Sequence, residues 1–165
     1  MPLTFTEPLI EPRTYTITSS LGYIKAAISP DDTLTSLRVI DQPMTNSSRN
    51  MPLIIRNLKK QMDDYLSGRL KVFHVPVRYT GTPFQLKVWD ALLNIPYGQT
   101  ASYQSIATLI NSPRACRAVG TAVSNNPIFL IIPCHRVIQK NGSIGGFAYG
   151  AHLKKILLNL EKNNP

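Results

Sequence analysis

The apolar residues of this chain change their spacing once, near residue 50, and that change limits the folds open to it. From Arg13 to Ser20, Tyr15 and Ile17 alternate with threonines at the period of a strand with one buried face. Leu21-Gly22 signals a turn, and residues 23–28 and 34–40 read as a second and third strand. Pro43 to Asn50 is a polar loop. Beyond it the period is helical. Ile54, Leu58, Met62 and Tyr65 share one face, Pro52 takes the first helical position, and Gly68 closes the helix. Val75-Pro76-Val77 and Gly81-Thr82-Pro83 suit an extended linker over 70–83.

From Phe84 onward the strong signals are helical. Phe84, Val88 and Leu92 recur at four-residue spacing until Pro96-Tyr97-Gly98 breaks the pattern. Tyr103, Ile106, Ala107 and Ile110 mark a short helix. Asn111-Ser112-Pro113 is a turn that also starts the next helix, with Ser112 as its expected N-cap. That helix runs to about Ser124 and stops at Asn125-Asn126-Pro127. Two short helices joined by a tight turn form a helix-turn-helix unit. Leu153, Ile156, Leu157 and Leu160 mark a last amphipathic helix. The expectation is an α+β protein, with an α/β domain over residues 1–80 and a mainly helical one over 81–165.

Composition narrows the class of partner. The chain has 165 residues, 43% hydrophobic, with a net charge of +9. The charge is uneven: about +3 over residues 1–82 and about +6 over 83–165, where Asp90 and Glu161 are the only acids. Such a field suits a polyanion such as nucleic acid. No apolar run approaches the ~20 residues a membrane helix needs. Glu7, Glu11 and several prolines near the start do not resemble a signal peptide. The two cysteines, Cys116 and Cys134, and three histidines lack zinc-like spacing, so no metal and no cofactor are expected. The reading is a cytoplasmic protein, or a nuclear one in a eukaryote, with reduced thiols.

The chemistry concentrates in Ile132-Pro133-Cys134-His135-Arg136-Val137, inside an apolar run that starts at Ile128. A thiol flanked by proline, imidazole and guanidinium has neighbours that favour thiolate, and thiolate is the reactive form. Upstream, Arg114-Ala115-Cys116-Arg117-Ala118-Val119-Gly120-Thr121-Ala122 mixes small side chains with arginines. Small residues let a helix lie close against a partner, either another helix or DNA. Arginines beside them suit phosphate contact or entry into the base stack. Cys116 in that helix reads as a small apolar substitute.

Taken together, Phe84 to Glu161 resembles the O6-alkylguanine-DNA alkyltransferases, the methylated-DNA–protein-cysteine methyltransferases. The likeness rests on Ser102-Tyr103-Gln104, Arg117-Ala118-Val119-Gly120, Asn126-Pro127, residues 132–137, Gly145-Gly146-Phe147, and Lys154 with Leu157-Leu158 and Glu161, in that order without insertions. The first half matches in layout only. The fold the resemblance implies is a small ribonuclease H-like antiparallel sheet with a helix, then a winged helix-turn-helix-like domain.

The resemblance also implies a reaction: direct reversal of damage in double-stranded DNA containing O6-alkylguanine, and O4-alkylthymine as well. The alkyl group passes irreversibly to Cys134, once per molecule. In that scheme His135 takes the thiol proton and Glu161 orients His135. Tyr103 assists the leaving base, and Asn126 acts as a hinge. Arg117 fills the stack after the nucleotide is flipped through the minor groove, while Ser102, Ala115, Ala118, Gly120 and Thr121 meet the DNA. Val137, Phe147, Ala148 and Lys154 form the base pocket. Many relatives have tyrosine in place of Phe147 and serine or arginine in place of Ala148. A monomer is expected, several copies of which share one DNA.

The rivals are fewer. Alkyltransferase-like proteins bind damaged DNA without chemistry but lack the acceptor cysteine, which stands here as Cys134. A sequence-specific regulator needs polar base-reading side chains on its recognition helix, where this chain offers alanine, glycine and threonine. A cysteine peptidase takes its histidine from far along the chain.

Overall fold

The structure, a computed structural model, describes residues 11–45 and 50–165. The stretch with Glu7, on which the signal-peptide reading rests, and residues 46–49 of the polar loop lie outside the described residues. Strands β1 (Arg13–Ser19), β2 (Gly22–Ile28) and β3 (Leu34–Ile40) form an antiparallel meander. Its register puts Ile17 opposite Ile24 and Ala26 opposite Leu37. The period-two pattern thereby gathers these four residues on one buried face. Helix α1 (Leu53–Leu66) joins that core through Ile54, Ile55, Leu58, Met62 and Tyr65. Pro52 is its N-cap, one position earlier than expected: its ψ of 161° is still extended, so the first helical residue is Leu53.

The stretch over 70–83 is extended, but it is more than a linker. Leu34 N donates to Pro76 O at 2.9 Å and Arg78 N donates to Leu34 O at 2.9 Å, so the chain lies along β3 as a parallel bridge. A second parallel bridge on β3 holds the segment that leads to Cys134. There Leu37 N donates to Pro127 O and Phe129 N donates to Leu37 O, each at 2.9 Å. The small sheet therefore fixes the approach to the Pro-Cys-His motif by backbone bonds.

The second half is helical as expected. Helices α2 (Pro83–Leu93) and α3 (Tyr103–Leu109) both open with complete capping boxes, Thr82 with Gln85 and Ser102 with Ser105. Trp89 on α2 donates its Nε1 hydrogen to Ala122 O at 2.9 Å, tying it to α4 (Cys116–Ser124). The expected N-cap of α4 is corrected. Ser112 belongs to a separate turn, its carbonyl accepting from Ala115 N at 2.9 Å, and α4 starts after Ala115 with no side-chain cap. Two-residue strands β4 (Ala101–Ser102) and β5 (Val137–Ile138) pair in parallel, too short to leave a periodic signal. Helix α5 (Ala151–Asn163) closes the chain and buries Lys154, Leu157 and Glu161. One continuous apolar cluster runs from Ile17 in the sheet to Leu157 in α5. Among the described residues no helix is long and apolar enough to cross a membrane.

Asn126 holds the turn between α4 and the motif. Its Nδ2 donates to Ile132 O at 2.7 Å, and its Oδ1 accepts from Ile128 N at 2.9 Å. Both bonds are buried, so Asn126→Ala strands two backbone groups away from water. The expected loss is about 2–4 kcal/mol of unfolding free energy, measured by urea denaturation. A loss below about 0.5 kcal/mol would mean that the turn holds itself.

Candidate active site

Helix α5 carries Glu161 into the core, where it is 1% exposed. An ionised carboxylate in such a place needs donors on every side. Four residues supply them. Tyr65 Oη donates to Oε1 at 2.6 Å, Arg136 Nη2 donates to Oε1 at 2.8 Å, and His135 Nε2 lies 2.8 Å from the same oxygen. Arg136 Nε and Gly98 N donate to Oε2, both at 3.0 Å. Burial alone would push the Glu161 carboxyl up, but the bonds from His135, Arg136 and Tyr65 hold it well below the usual carboxylate range. A carboxylate only accepts, so His135 carries its hydrogen on Nε2.

His135 is fully buried, and burial lowers its proton affinity against the pull of Glu161. At rest it is a neutral imidazole with a free lone pair on Nδ1. That atom has no hydrogen-bond partner among the described residues. A buried, unpaired nitrogen on a ring anchored at its other end is suited to accept a proton.

The expectation that its neighbours favour a Cys134 thiolate is corrected. Burial pushes the thiol up to about 11, against opposing help from the Asn126 side chain, Lys154 and nearby backbone amides. Arg136 does not serve the sulfur: its guanidinium is spent on Glu161 and on Ile95 O at 2.6 Å. The one-turn 3₁₀ helix Cys134–Arg136 sends His135 and Arg136 to the same carboxylate. Leu130, at φ +68° and 2% exposed, sits in the tight turn that feeds this motif. A bulky residue in the left-handed region costs on the order of 1–3 kcal/mol, and packing around Leu130 holds it there.

An open cleft of about 700 Å³ lies between α4 and residues 146–148, and Cys134 is not among the residues that line it. Tyr103, Arg117, Gly120, Thr121, Phe147 and Ala148 line it, so six of the expected site residues converge on one concavity. Cys134, His135, Asn126, Val137, Lys154 and Glu161 are buried. Burial raises the Tyr103 hydroxyl, and the Cys134 charge adds to the rise, which links the cleft wall to the sulfur. Lys154 Nζ donates to Val137 O at 2.5 Å and to Gly146 O at 3.1 Å, and lies over the Tyr103 and Phe147 rings. Burial lowers Lys154 to about 8. Lys154 thus pins the pocket's backbone, and the Val137 carbonyl already has one donor.

On α4, Arg117, Ala118 and Thr121 are exposed while Val119, Ala122 and Val123 are buried. A Cβ added at Gly120 would meet only the Tyr103 ring, at 3.9 Å. Internal packing therefore does not require glycine there, and its smallness serves the open side. Ala115 is half-buried at the N-cap of α4 and does not line the cleft. Ser102 is half-buried with its hydroxyl engaged as the cap of α3. Cys116 is not a plain apolar substitute: its Sγ donates to Gln104 Oε1 at 2.9 Å, on the cleft wall. The +6 of the second half also needs refinement, because Lys154 is buried and Arg136 neutralises Glu161. The exposed cations there are Lys87, Arg114, Arg117, Lys140, Lys155 and Lys162, against Asp90.

Sequence reasoning missed Tyr65 and the Arg136–Glu161 pair. Tyr65 sits at an apolar helical position, where the one available signal was its hydroxyl, since a buried tyrosine needs a polar partner. The described residues hold no group of three or more His, Cys, Asp or Glu side chains placed to bind a metal ion.

The chain is similar to known proteins. Residues 83–163 match the family model described as 6-O-methylguanine DNA methyltransferase, DNA binding domain. The chain is 56% identical over 102 residues to the inducible methylated-DNA–protein-cysteine methyltransferase of Bacillus subtilis, covering 62% of this chain and 57% of that protein. It is 42% identical over 151 residues to the Mycobacterium tuberculosis methylated-DNA–protein-cysteine methyltransferase, covering 90% and 91% of the two chains. The fold matches the crystal structure of Mycobacterium tuberculosis OGT in complex with DNA, with a TM-score of 0.82 and 41% identity over 92% of this chain and 93% of that one. A buried Pro-Cys-His turn, a helix pair with an open small-residue face, and this likeness along nearly the whole chain agree: the chain belongs to the methylated-DNA–protein-cysteine methyltransferase family.

Proposed function

We propose that this chain repairs DNA by moving an alkyl group from O6 of guanine, or O4 of thymine, to Sγ of Cys134, once per molecule. The observation that carries the reading is the buried His135–Glu161 pair, anchored at Nε2 and unpaired at Nδ1, in the residue next to a protonated thiol. His135 takes the thiol proton at Nδ1 through a bridging water, since Nδ1 has no hydrogen bond to the sulfur, and Glu161 stabilises the imidazolium that forms. The sulfur then attacks the alkyl carbon; the S–C bond forms as the C–O bond to the base breaks. The C–O electron pair passes into the base, and Tyr103, raised by burial and so held protonated, passes its hydroxyl proton to N3 so that guanine leaves uncharged; the phenoxide is reprotonated from solvent.

Sγ cannot reach O6 inside a stacked duplex, so the nucleotide has to leave the helix through the minor groove. The cleft between α4 and residues 146–148 has the size of a small-molecule site, typically about 300–1,000 Å³, and opens beside Arg117. Arg117 takes the place of the extruded base. Ala118, Gly120 and Thr121 let the backbone approach the groove, with Ala115 and Ser102 at the ends of the contact. Phe147 packs the base, the Cys134 and Val137 carbonyls accept from its exocyclic amine, and Ala148 N–H donates to O6. Residues 1–80 form a supporting domain for the DNA-binding one at 81–165. The protein works as a monomer in the cytoplasm, several copies sharing one stretch of DNA.

Intact-mass analysis after mixing with duplex DNA bearing O6-methylguanine should show one methyl group gained per chain, mapped to Cys134. Cys134→Ser should abolish transfer and keep DNA binding, because a serine hydroxyl without strong activation is a poor nucleophile. Methyl found on Cys116 instead would overturn the assignment.

Arg117→Ala should slow repair of duplex DNA by about tenfold or more while leaving reaction with free O6-methylguanine base nearly unchanged. Equal losses on the two substrates would give Arg117 a different role.

The pH dependence follows from the two shifts. Thiol ionisation near 11 means that direct thiolate formation rises tenfold per pH unit across the neutral range. The relay supplies the proton transfer that this equilibrium does not. His135→Ala should therefore be slowest relative to the parent near neutrality and should recover as pH rises. Single-turnover rates across a pH series measure this, and a deficit that does not narrow with pH would remove the relay.

A further inference from the structure

We propose that Tyr65, on the N-terminal helix α1, is a positioning residue for the alkyl transfer: its hydroxyl fixes the Glu161 carboxylate so that His135 keeps its hydrogen on Nε2 and its lone pair on Nδ1. The inference rests on the reading of His135 and Glu161 as the proton relay of Cys134. Tyr65 lies 70 residues from His135 and 96 from Glu161 in the chain, and outside the matched stretch 83–163. It is nevertheless fully buried against both.

The geometry is a closed triangle. Tyr65 Oη is 2.6 Å from Glu161 Oε1 and 3.3 Å from His135 Nε2, and those two atoms are 2.8 Å apart. Burial and the Glu161 charge raise the Tyr65 hydroxyl far above its ordinary value, so it donates at every working pH. Its hydrogen is directed to Oε1, which turns its lone pairs toward Nε2. An unprotonated Nε2 would then face lone pairs from both oxygens. The protonated form instead donates to Oε1 with the hydroxyl oxygen close by. Tyr65 and Glu161 thus select the same tautomer, the one that leaves Nδ1 free.

The ring itself is clamped. Phe73 lies 5.2 Å away, and Tyr97 meets it edge-on at 5.9 Å. Those contacts survive in Tyr65→Phe, which removes only the hydroxyl. Gly98 N and Arg136 still hold Glu161 in that variant, so the carboxylate remains ionised but gains freedom to turn. The N-terminal half therefore reaches into the chemistry through one oxygen atom.

The test is a single-turnover rate series against pH on duplex DNA with O6-methylguanine, for the parent, Tyr65→Phe, Glu161→Gln and the double variant. Tyr65→Phe should slow transfer about threefold to tenfold near neutrality, the worth of one hydrogen bond. DNA affinity should hold, the melting temperature should fall by only a few degrees, and the deficit should narrow as pH rises. In the Glu161→Gln background Tyr65→Phe should add nothing. A Tyr65→Phe rate equal to the parent while Glu161→Gln is slow would overturn the proposal alone. So would a loss that is constant with pH and persists in the double variant, since that is a packing effect. If Glu161→Gln itself matches the parent, the relay reading fails and takes this proposal with it. A second measurement needs no variant: imidazole ¹⁵N shifts of His135 in the parent should report hydrogen on Nε2, and hydrogen on Nδ1 would sink the idea.

Discussion

The active-site half of the fold is organised by the ionised carboxylate of Glu161, held inside an apolar core. An unpaired carboxylate there would cost several kcal/mol even after relaxation. The structure meets that cost with donors drawn from α1, the turn after α2, and the Cys134–Arg136 turn. Each of those segments is thereby fixed relative to α5. Since removing one partner of such a network costs more than the network is worth in isolation, the four segments have little freedom to drift. The sulfur's position is a by-product of this arrangement: the residue before His135 goes where the His135 ring anchor sends it.

A second constraint acts through backbone alone. β3 uses one edge to hold both the stretch at Pro76 and the stretch at Pro127. Such an edge, left open, would invite pairing with another chain. Here it is filled by the path into the Cys134 turn, and the strained Leu130 directly follows Phe129, whose N–H is bonded to Leu37 O. The small sheet of the first half is therefore mechanically connected to the motif that carries Cys134.

What was legible in the sequence follows from which signals are local. Strand alternation at Tyr15 and Ile17 and helical spacing at Ile54 to Tyr65 are properties of short windows, and the elements appear where those windows lie. The start of α4 was misplaced because Ser112-Pro113 is a valid helix start taken alone. A closed turn through Ala115 claims those residues first. Cys134 and His135 stood out by adjacency, and Glu161 by its place in the family pattern. The charge state of the thiol was not legible, because it depends on burial and on where Arg136 points, and both are tertiary facts. Tyr65 was hidden for the same reason: its hydroxyl meets partners 70 and 96 residues away.

The raised thiol fits the single transfer proposed above. At about 11, roughly one Cys134 in ten thousand is ionised at neutral pH. Oxidants and stray electrophiles attack the thiolate, so a buried thiol in this state is nearly inert while it waits. A permanently ionised cysteine would react faster with the lesion but would also be spent on anything else that reached it. Placing the reactivity in a neutral base next in sequence separates the two demands. Nδ1 of His135 has no competing partner among the described residues, and its conjugate acid has Glu161 already in place to receive the charge. In the proposed reaction the proton moves only when an alkyl carbon stands in the path of the sulfur, where the bond that forms offsets the cost of the buried ion pair. On this reading the resting protein guards its one equivalent by desolvation, and the cleft selects what is allowed to draw on it.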